Sequence, residues 1–439
     1  MTNQKIAAAV AIALGTGGIA HATAPTLAQC QSPAEQVYVA GSSAAQKAFF
    51  AGVNADILGS NGALYVSDNG NFQAICGVSA NSAVAPIGTS LLIHYRAEGG
   101  SVVGALPIAA SGSHPLNFLL TSGAASVGTL AAPVTLAVTG TSSTVGTTDG
   151  WGGTNLVKHL VDIGITDLEA GQLVGQNYPT AYSPSVFGSA SATQMGNLKS
   201  KSTPLVDQVF ALYVNTTNIG NNTSGQAINL SRETVANILD GTITDWAQVP
   251  TVTGGQVNTN GSASPITVIN REAGSGSRTG ASIYFLDYNC AQTSRFINDP
   301  SPANDYYATG DAINAATSTP GGITYASIDN AGKANLTQAT LSGIKASNLT
   351  ATSGDYDWWY EAQVIKGNTS LDSVGTAFYT YVSGTIPEVS KAPQVADILA
   401  IPGAGTVANT TSVPVTATGI IYVNPYGRNS NSCGQPKKK

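Results

Sequence analysis

Residues 265–286 read PITVINREAGSGSRTGASIYFL. The β-branched run Ile266, Thr267, Val268 and Ile269 is expected to form a buried strand. It breaks at Arg271-Glu272-Ala273-Gly274-Ser275-Gly276-Ser277, and an apolar helical spacing then continues through Ile283 and Leu286. Two glycines let the backbone come close to a ligand. The helix start leaves N–H groups without intrahelical partners, and that end carries a partial positive charge suited to an anion. Three hydroxyls (Ser275, Ser277, Thr279) and two guanidiniums (Arg271, Arg278) lie in or beside the same turn. The alternative is a plain Gly/Ser loop with two solvated arginines. An anion cradle is the reading adopted.

At 439 residues the chain has room for two or more domains of roughly 150 residues. Charged residues make up 10% of it, against about 25% in an average protein. Gly, Ser, Thr, Asn and Ala take their place. The formal net charge is −6, so the chain as a whole offers no basic face, and no nucleic-acid partner is expected.

The first residues read as an export leader, expected over 1–28. Lys5 gives the positive start, Ile6 to Leu14 the apolar core, and Ala20-His21-Ala22 a small-residue cleavage site, with a second candidate cut after Ala28. The apolar core is too short to span a bilayer. Gln29 before Cys30 is a poor fit to a lipoprotein box. The mature chain is expected in the periplasm or outside the cell. Cys30, Cys76, Cys290 and Cys433 suit that compartment as structural disulfides, with three pairings open. Their separations match no zinc pattern. His94, His114 and His159 are isolated, so no metal or other cofactor is expected. With no Gly-x-Ser-x-Gly elbow and no convincing Ser-His-Asp order, the chain is expected not to be an enzyme.

Along the chain, Gln36 to Ala40 alternates like a first strand and Gly41-Ser42-Ser43-Ala44-Ala45 opens a helical run. Thr89 to Tyr95 reads as a strand, followed by the loop Arg96-Ala97-Glu98-Gly99-Gly100-Ser101. Val102 to Gly150, almost without charge, reads as an inserted hairpin or extended surface loop. Val161 to Asp167 is a short strand ending in an acid, for which a helix cap is the alternative role. Strands are also expected at Phe210 to Asn215, Gly321 to Tyr325, Ala362 to Ile365 and Gly419 to Val423. Helices are expected within Leu230 to Val249 and near Thr376 to Val382, and the tail Lys437 to Lys439 is expected to be disordered. Alternating strands and helices make the class α/β. Ligands in such sheets bind at the carboxyl ends of strands.

The order of these motifs resembles the phosphate-binding proteins of bacterial phosphate-specific ABC transporters, within the type II periplasmic binding protein superfamily. Arg271-x-x-Gly274-Ser275-Gly276-Ser277 is similar to that family's Arg-Ser-Asp-Gly-Ser-Gly-Thr loop at identical spacing. Val161 to Asp167 resembles its V-D-F-G-A-S-D strand, whose last Asp contacts the ligand. Ile238, Gly241, Ile243 and Trp246 match its L-x-x-I-Y-x-G-K-I-x-x-W segment, and Gly321 to Tyr325 resembles its G-A-I-G-Y. Gly41 to Ala44 and Gly99 to Ser101 stand where its two N-terminal phosphate loops belong. The resemblance covers roughly residues 35 to 335, with one large interruption.

What it implies is a two-lobed α/β fold with a ligand cleft between the lobes. Lobe one would combine 31–205, with an insertion over 102–150, and 318–439; lobe two would be 206–317. Arg271 would fork onto anion oxygens. Ser43, Ser101, Ser275 and Ser277 would donate hydroxyls, Ser42 and Ala44 would complete the first loop, and the N–H groups of Gly276 and Ser277 would add helix-terminal donors. Asp167 would accept a proton carried by the ligand, since an ionised carboxylate offers only acceptors. Phosphate or arsenate carries such a proton near neutral pH and sulfate does not. The partners implied are inorganic phosphate or a similar oxyanion and an ABC permease, with the protein a monomer in uptake or sensing.

Three features depart from the family pattern. Ala273 stands where the family loop has an acid that helps orient the arginine, with Glu272 one position earlier. Glu98 adjoins the second loop and would repel an anion if it pointed inward; a surface position is the reading adopted. The stretch 102–150 widens the gap between the second loop and Asp167, and is read as decoration of the lobe. The competing function is a secreted surface or adhesive protein that keeps a binding-protein scaffold without a transport role. A phosphatase on the same scaffold is disfavoured by the lack of a nucleophile–base pair.

Overall fold

The fourteen-residue strand Ser202–Asn215 joins the two halves of the core. At about 3.3 Å per residue it is roughly 45 Å long. Its first half pairs antiparallel with Trp359–Lys366 and its second half with Gly322–Ser327. The computed structural model describes residues 23–140, 151–217, 219, 228–250, 264–291, 295–298, 305–367, 371–384, 398–399, 412–415, 419–422 and 424–438. The leader's apolar core and first cleavage site lie outside them, whereas Leu27 and Ala28 open the short helix Leu27–Gln31.

Across the main sheet the strands run Thr267–Val268, Gly322–Ser327, Ser202–Asn215, Trp359–Lys366, Ile163–Thr166, Glu35–Gly41, Ser90–Arg96, Phe72–Val78, Ala63–Ser67 and Val134–Leu136. Glu35–Gly41 is parallel to both Ile163–Thr166 and Ser90–Arg96. Three strand carboxyl ends therefore deliver Ser42, Asp167 and the 97–101 loop to one edge. The helix Ser101–Ala109 is drawn onto these ends by bare backbone. Gly104 lies against the Ala40 and Ile165 carbonyls and Gly164 against the Gly104 carbonyl, with no room for a Cβ at either glycine.

The chain passes between two apolar clusters in the middle of two strands. Leu205, Val206, Ala362 and Val364 pack with Val39, Phe49, Ile93, Ile163 and Phe378. Val209 to Val214, with Trp359 and Tyr360, pack with Leu230, Ile238, Trp246, Phe285, Ile323 and Tyr325. Residues two or three positions apart on each strand thus belong to different cores. Buried apolar residues between Ile323 and Tyr360 pack in the second core, and Ala362 and Val364 pack in the first.

Three local expectations are revised. Val102 to Ala109 belongs to the helix Ser101–Ala109, buried through Ile108, because its apolar residues cover the sheet. The remainder, as far as 140 and from 151, forms short pairs such as Leu116–Leu119 with Leu156–His159, packed with Phe72 and Leu92; residues 141–150 lie outside the described set. The Ile266 to Ile269 strand shrinks to the half-buried pair Thr267–Val268, at the end of the sheet path. Lys437–Lys438 of the tail is paired with Tyr426–Gly427 rather than disordered. The cysteines pair as Cys30–Cys76 and Cys290–Cys433, which selects one of the three open connectivities. Among the described residues no helix is long and apolar enough to cross a membrane.

Candidate functional site

The helix Gly276–Leu286 starts as expected from the sequence, with Ser275 as its N-cap, its hydroxyl accepting from the Arg278 N–H. That helix start faces Asp167: a Cβ on Gly276 would collide with the Asp167 carboxylate and the Ser101 hydroxyl. Only glycine lets the two segments meet. On the opposite side, Gly100 at φ +67° brings the second loop against Ser275 and the Arg271 guanidinium. The Val102 N–H donates to the Gly274 carbonyl at 2.9 Å and the Gly99 N–H to the Tyr307 carbonyl at 3.1 Å. The loops meet here: Ser42, Ser43, Ser101, Asp167, Arg271, Ser275, Gly276 and Ser277 lie in one neighbourhood, and Ala44 is buried next to Ser43 in the chain.

Within it the hydroxyls divide by task. Asp167 is 2% exposed. Its carboxylate accepts from the Ser42 and Ser101 hydroxyls and from the Ser277 N–H. Its own N–H donates to Ser101 Oγ at 2.9 Å, so serine and aspartate hold each other. Ser42 Oγ also accepts from the Ala45 N–H at 2.9 Å, and Tyr95 donates its hydroxyl to the Ser42 carbonyl at 2.6 Å. Ser43 Oγ lies 2.8 Å from Thr309 Oγ1. Ser277 Oγ, buried, has no hydrogen-bond partner among the described residues. A buried hydroxyl left in that state costs about 1–3 kcal/mol. Burial pushes the Asp167 carboxyl above its usual range, opposed by its hydrogen bonds and by Arg271.

Arg271 is 1% exposed. Nε donates to the Tyr306 carbonyl at 3.0 Å, Nη2 to the Tyr307 carbonyl at 2.9 Å, and Nη1 to Thr309 Oγ1 at 2.6 Å. The missing acid at Ala273 is thus replaced by two carbonyls and a hydroxyl from a segment some 35 residues downstream. Burial pulls the Arg271 guanidinium down; Asp167, first among its neighbours, and Asp311 hold it up. Arg278 does not join the cradle. It donates to the Arg271 carbonyl at 2.9 Å and lies 3.6 Å from Asp305, bracing the loop from behind.

Glu98 departs from its expected surface position. It is fully buried, 3.5 Å from Arg96, whose guanidinium lies over the rings of Phe72 and Phe187. An ion pair so enclosed presents no free charge to the cradle. Sequence reasoning passed over Thr309, Asp311 and the Tyr306 and Tyr307 carbonyls. The available signal was a hydroxyl and an acid opening the helix Thr309–Ser318. Among the described residues no group of three His, Cys, Asp or Glu side chains could hold a metal ion.

The PBP superfamily domain matches residues 81–385. The chain belongs to this superfamily. It is therefore a two-lobed periplasmic binding protein of mixed α/β class, a family of solute binders rather than enzymes. Structural similarity extends to a putative phosphate ABC transporter substrate-binding protein from Clostridium perfringens with bound phosphate, at 13% identity and TM-score 0.44, covering 80% of this chain and 96% of that one. An ABC-type phosphate transport receptor from Vibrio cholerae aligns at 12% identity and TM-score 0.41, covering 80% and 94%. No curated protein sequence matches significantly.

Proposed function

We propose that this periplasmic binding protein captures inorganic phosphate, or a related protonated oxyanion such as arsenate, and serves uptake or sensing through an ABC permease after export. The observation that carries the reading is the convergence of the buried Arg271 and the unpartnered Ser277 hydroxyl on Asp167 at one helix start. Arg271, Ser43, Ser277 and the first N–H groups of the helix supply donors. Asp167 supplies an acceptor, which favours a ligand that brings a proton and disfavours sulfate. The lobes divide at 206–209 and 360–362, and closure would turn about these two strands.

Isothermal titration of the mature protein with phosphate, and with sulfate as control, tests this. Phosphate heat without sulfate heat is the expected result. Silence toward both, in folded protein freed of carried-over ligand, overturns the phosphate reading and returns the chain to the surface or adhesive alternative.

A further inference from the structure

Thr309 sits where three segments meet. It is 6% exposed and is the first residue of the helix Thr309–Ser318. Its Oγ1 receives the Arg271 Nη1 donor at 2.6 Å and lies 2.8 Å from Ser43 Oγ. A hydroxyl has one proton and two acceptor sites. Arg271 takes one of the two acceptor sites, and either hydroxyl can supply the proton between Thr309 and Ser43. When Thr309 supplies it, Ser43 keeps its own proton to turn away from Thr309.

We infer that Thr309 is a positioning residue of the oxyanion site, holding the Arg271 fork and making the Ser43 hydroxyl an outward donor. It does the orienting that Ala273, lacking a carboxylate, does not do within the loop. Because Ser43 follows a strand of the first core and Thr309 opens a helix beside the second, the same pair links the two halves across the cleft. Asp311, in the same helical turn, adds charge. It stands among the groups acting on Arg271, and its Oδ2 is buried without a hydrogen-bond partner among the described residues. The inference rests on the oxyanion reading for its ligand, but the Arg271–Thr309 contact is measurable without one.

The test compares Thr309→Val, which keeps the shape and removes the hydroxyl, with Thr309→Ser, which restores it. Two quantities are read: phosphate affinity by titration, and proton exchange of the Arg271 guanidinium by nitrogen-15 NMR, with Arg428 as internal reference. The valine variant is expected to bind phosphate roughly 10- to 100-fold more weakly, the effect of one hydrogen bond to a charged group. Its Arg271 exchange is expected to rise about tenfold, with both quantities restored by serine. Should the wild type bind no phosphate while exchange still rises in the valine variant and not in the serine variant, the positioning role stands and the phosphate reading falls. Unchanged Arg271 exchange in a folded valine variant overturns the role whatever the affinity does.

Discussion

Arg271 and Arg428 are both buried, at 1% and 7% exposure, and each donates from all three guanidinium nitrogens. Arg428 sends Nε to the Trp359 carbonyl, Nη1 to the Gly434 carbonyl and Nη2 to the Asp357 carbonyl, and lies over the rings of Trp359 and Tyr360. Its backbone N–H and that of Ser430 donate to Glu361. The result is a strap that fastens the C-terminal segment, and the adjoining Cys290–Cys433 disulfide ties it to the end of the helix whose start faces Asp167. Arg271 has two carbonyl acceptors, but its third is the Thr309 hydroxyl, and around it stand a helix start, Asp167 and an unpartnered serine. Burial and hydrogen-bond count do not separate a structural arginine from the one proposed to bind the anion. What the remaining space around the guanidinium contains does.

The largest effect expected follows from exchanging each arginine for methionine. Arg271→Met should abolish phosphate binding, a loss of at least about 100-fold for a desolvated charged contact, while the protein stays folded. Arg428→Met should bind phosphate nearly as the wild type and lose about 3 kcal/mol of stability, because three carbonyls forfeit their donor. Titration and chemical denaturation on both variants give the four numbers, and a binding loss in the Arg428 variant at unchanged stability would erase the distinction.

The disulfides sharpen it next. Cys290 and Cys433 are half-buried while Cys30 and Cys76 are fully buried, so mild reductant should open Cys290–Cys433 first. Mass spectrometry after partial reduction and alkylation checks the order. Cys290→Ser together with Cys433→Ser should cost about 2–4 kcal/mol by freeing a long loop, with phosphate affinity retained.

Asp167→Asn should narrow the preference for phosphate over sulfate by about tenfold, the scale of one hydrogen bond made or lost at a buried acceptor. Equal preference before and after would remove Asp167 from recognition. The last effect is in pH. Burial raises the folded-state pKa of Asp167 above its ordinary 3.8, so the native state holds the proton more tightly than the unfolded chain. Its contribution is fully present below about 3.8 and is lost as pH rises through the folded value. His94, fully buried with Nδ1 2.7 Å from the Leu119 carbonyl, runs the other way. Its pKa falls from the ordinary 6.5 to about 3, mainly through burial, so stability present above 6.5 is lost as pH drops toward 3. Melting temperatures across this range should show the two limbs, with Asp167→Asn removing the first and His94→Gln the second.

The 271–277 loop was legible because its chemistry is local. Glycines that let a helix start meet a carboxylate, a serine cap and an arginine lie within seven residues, and backbone geometry acts at that range. The strand ends at Gly41 and Thr166 were legible for the same reason, since period-two apolar runs announce strands that terminate in Ser42 and Asp167. Glu98 was misplaced because a charge reads as exposed until its partner is seen, and that partner, Arg96, needs Phe72 and Phe187 from other segments to enclose it. The helix Ser101–Ala109 does not announce itself in the sequence, because a run of small apolar residues has no polar face to set its period; burial on nearly every side replaces that signal.

By itself the sequence determined the class, the order of the loops and the residue types that could cradle an anion, since each follows from propensities and spacings within a few residues. Only the tertiary structure decided which hydroxyls Asp167 consumes, which segment orients Arg271 in place of the missing acid, and where one core gives way to the other. Those depend on contacts between residues tens to hundreds of positions apart, whose energies are set by which groups share a buried space.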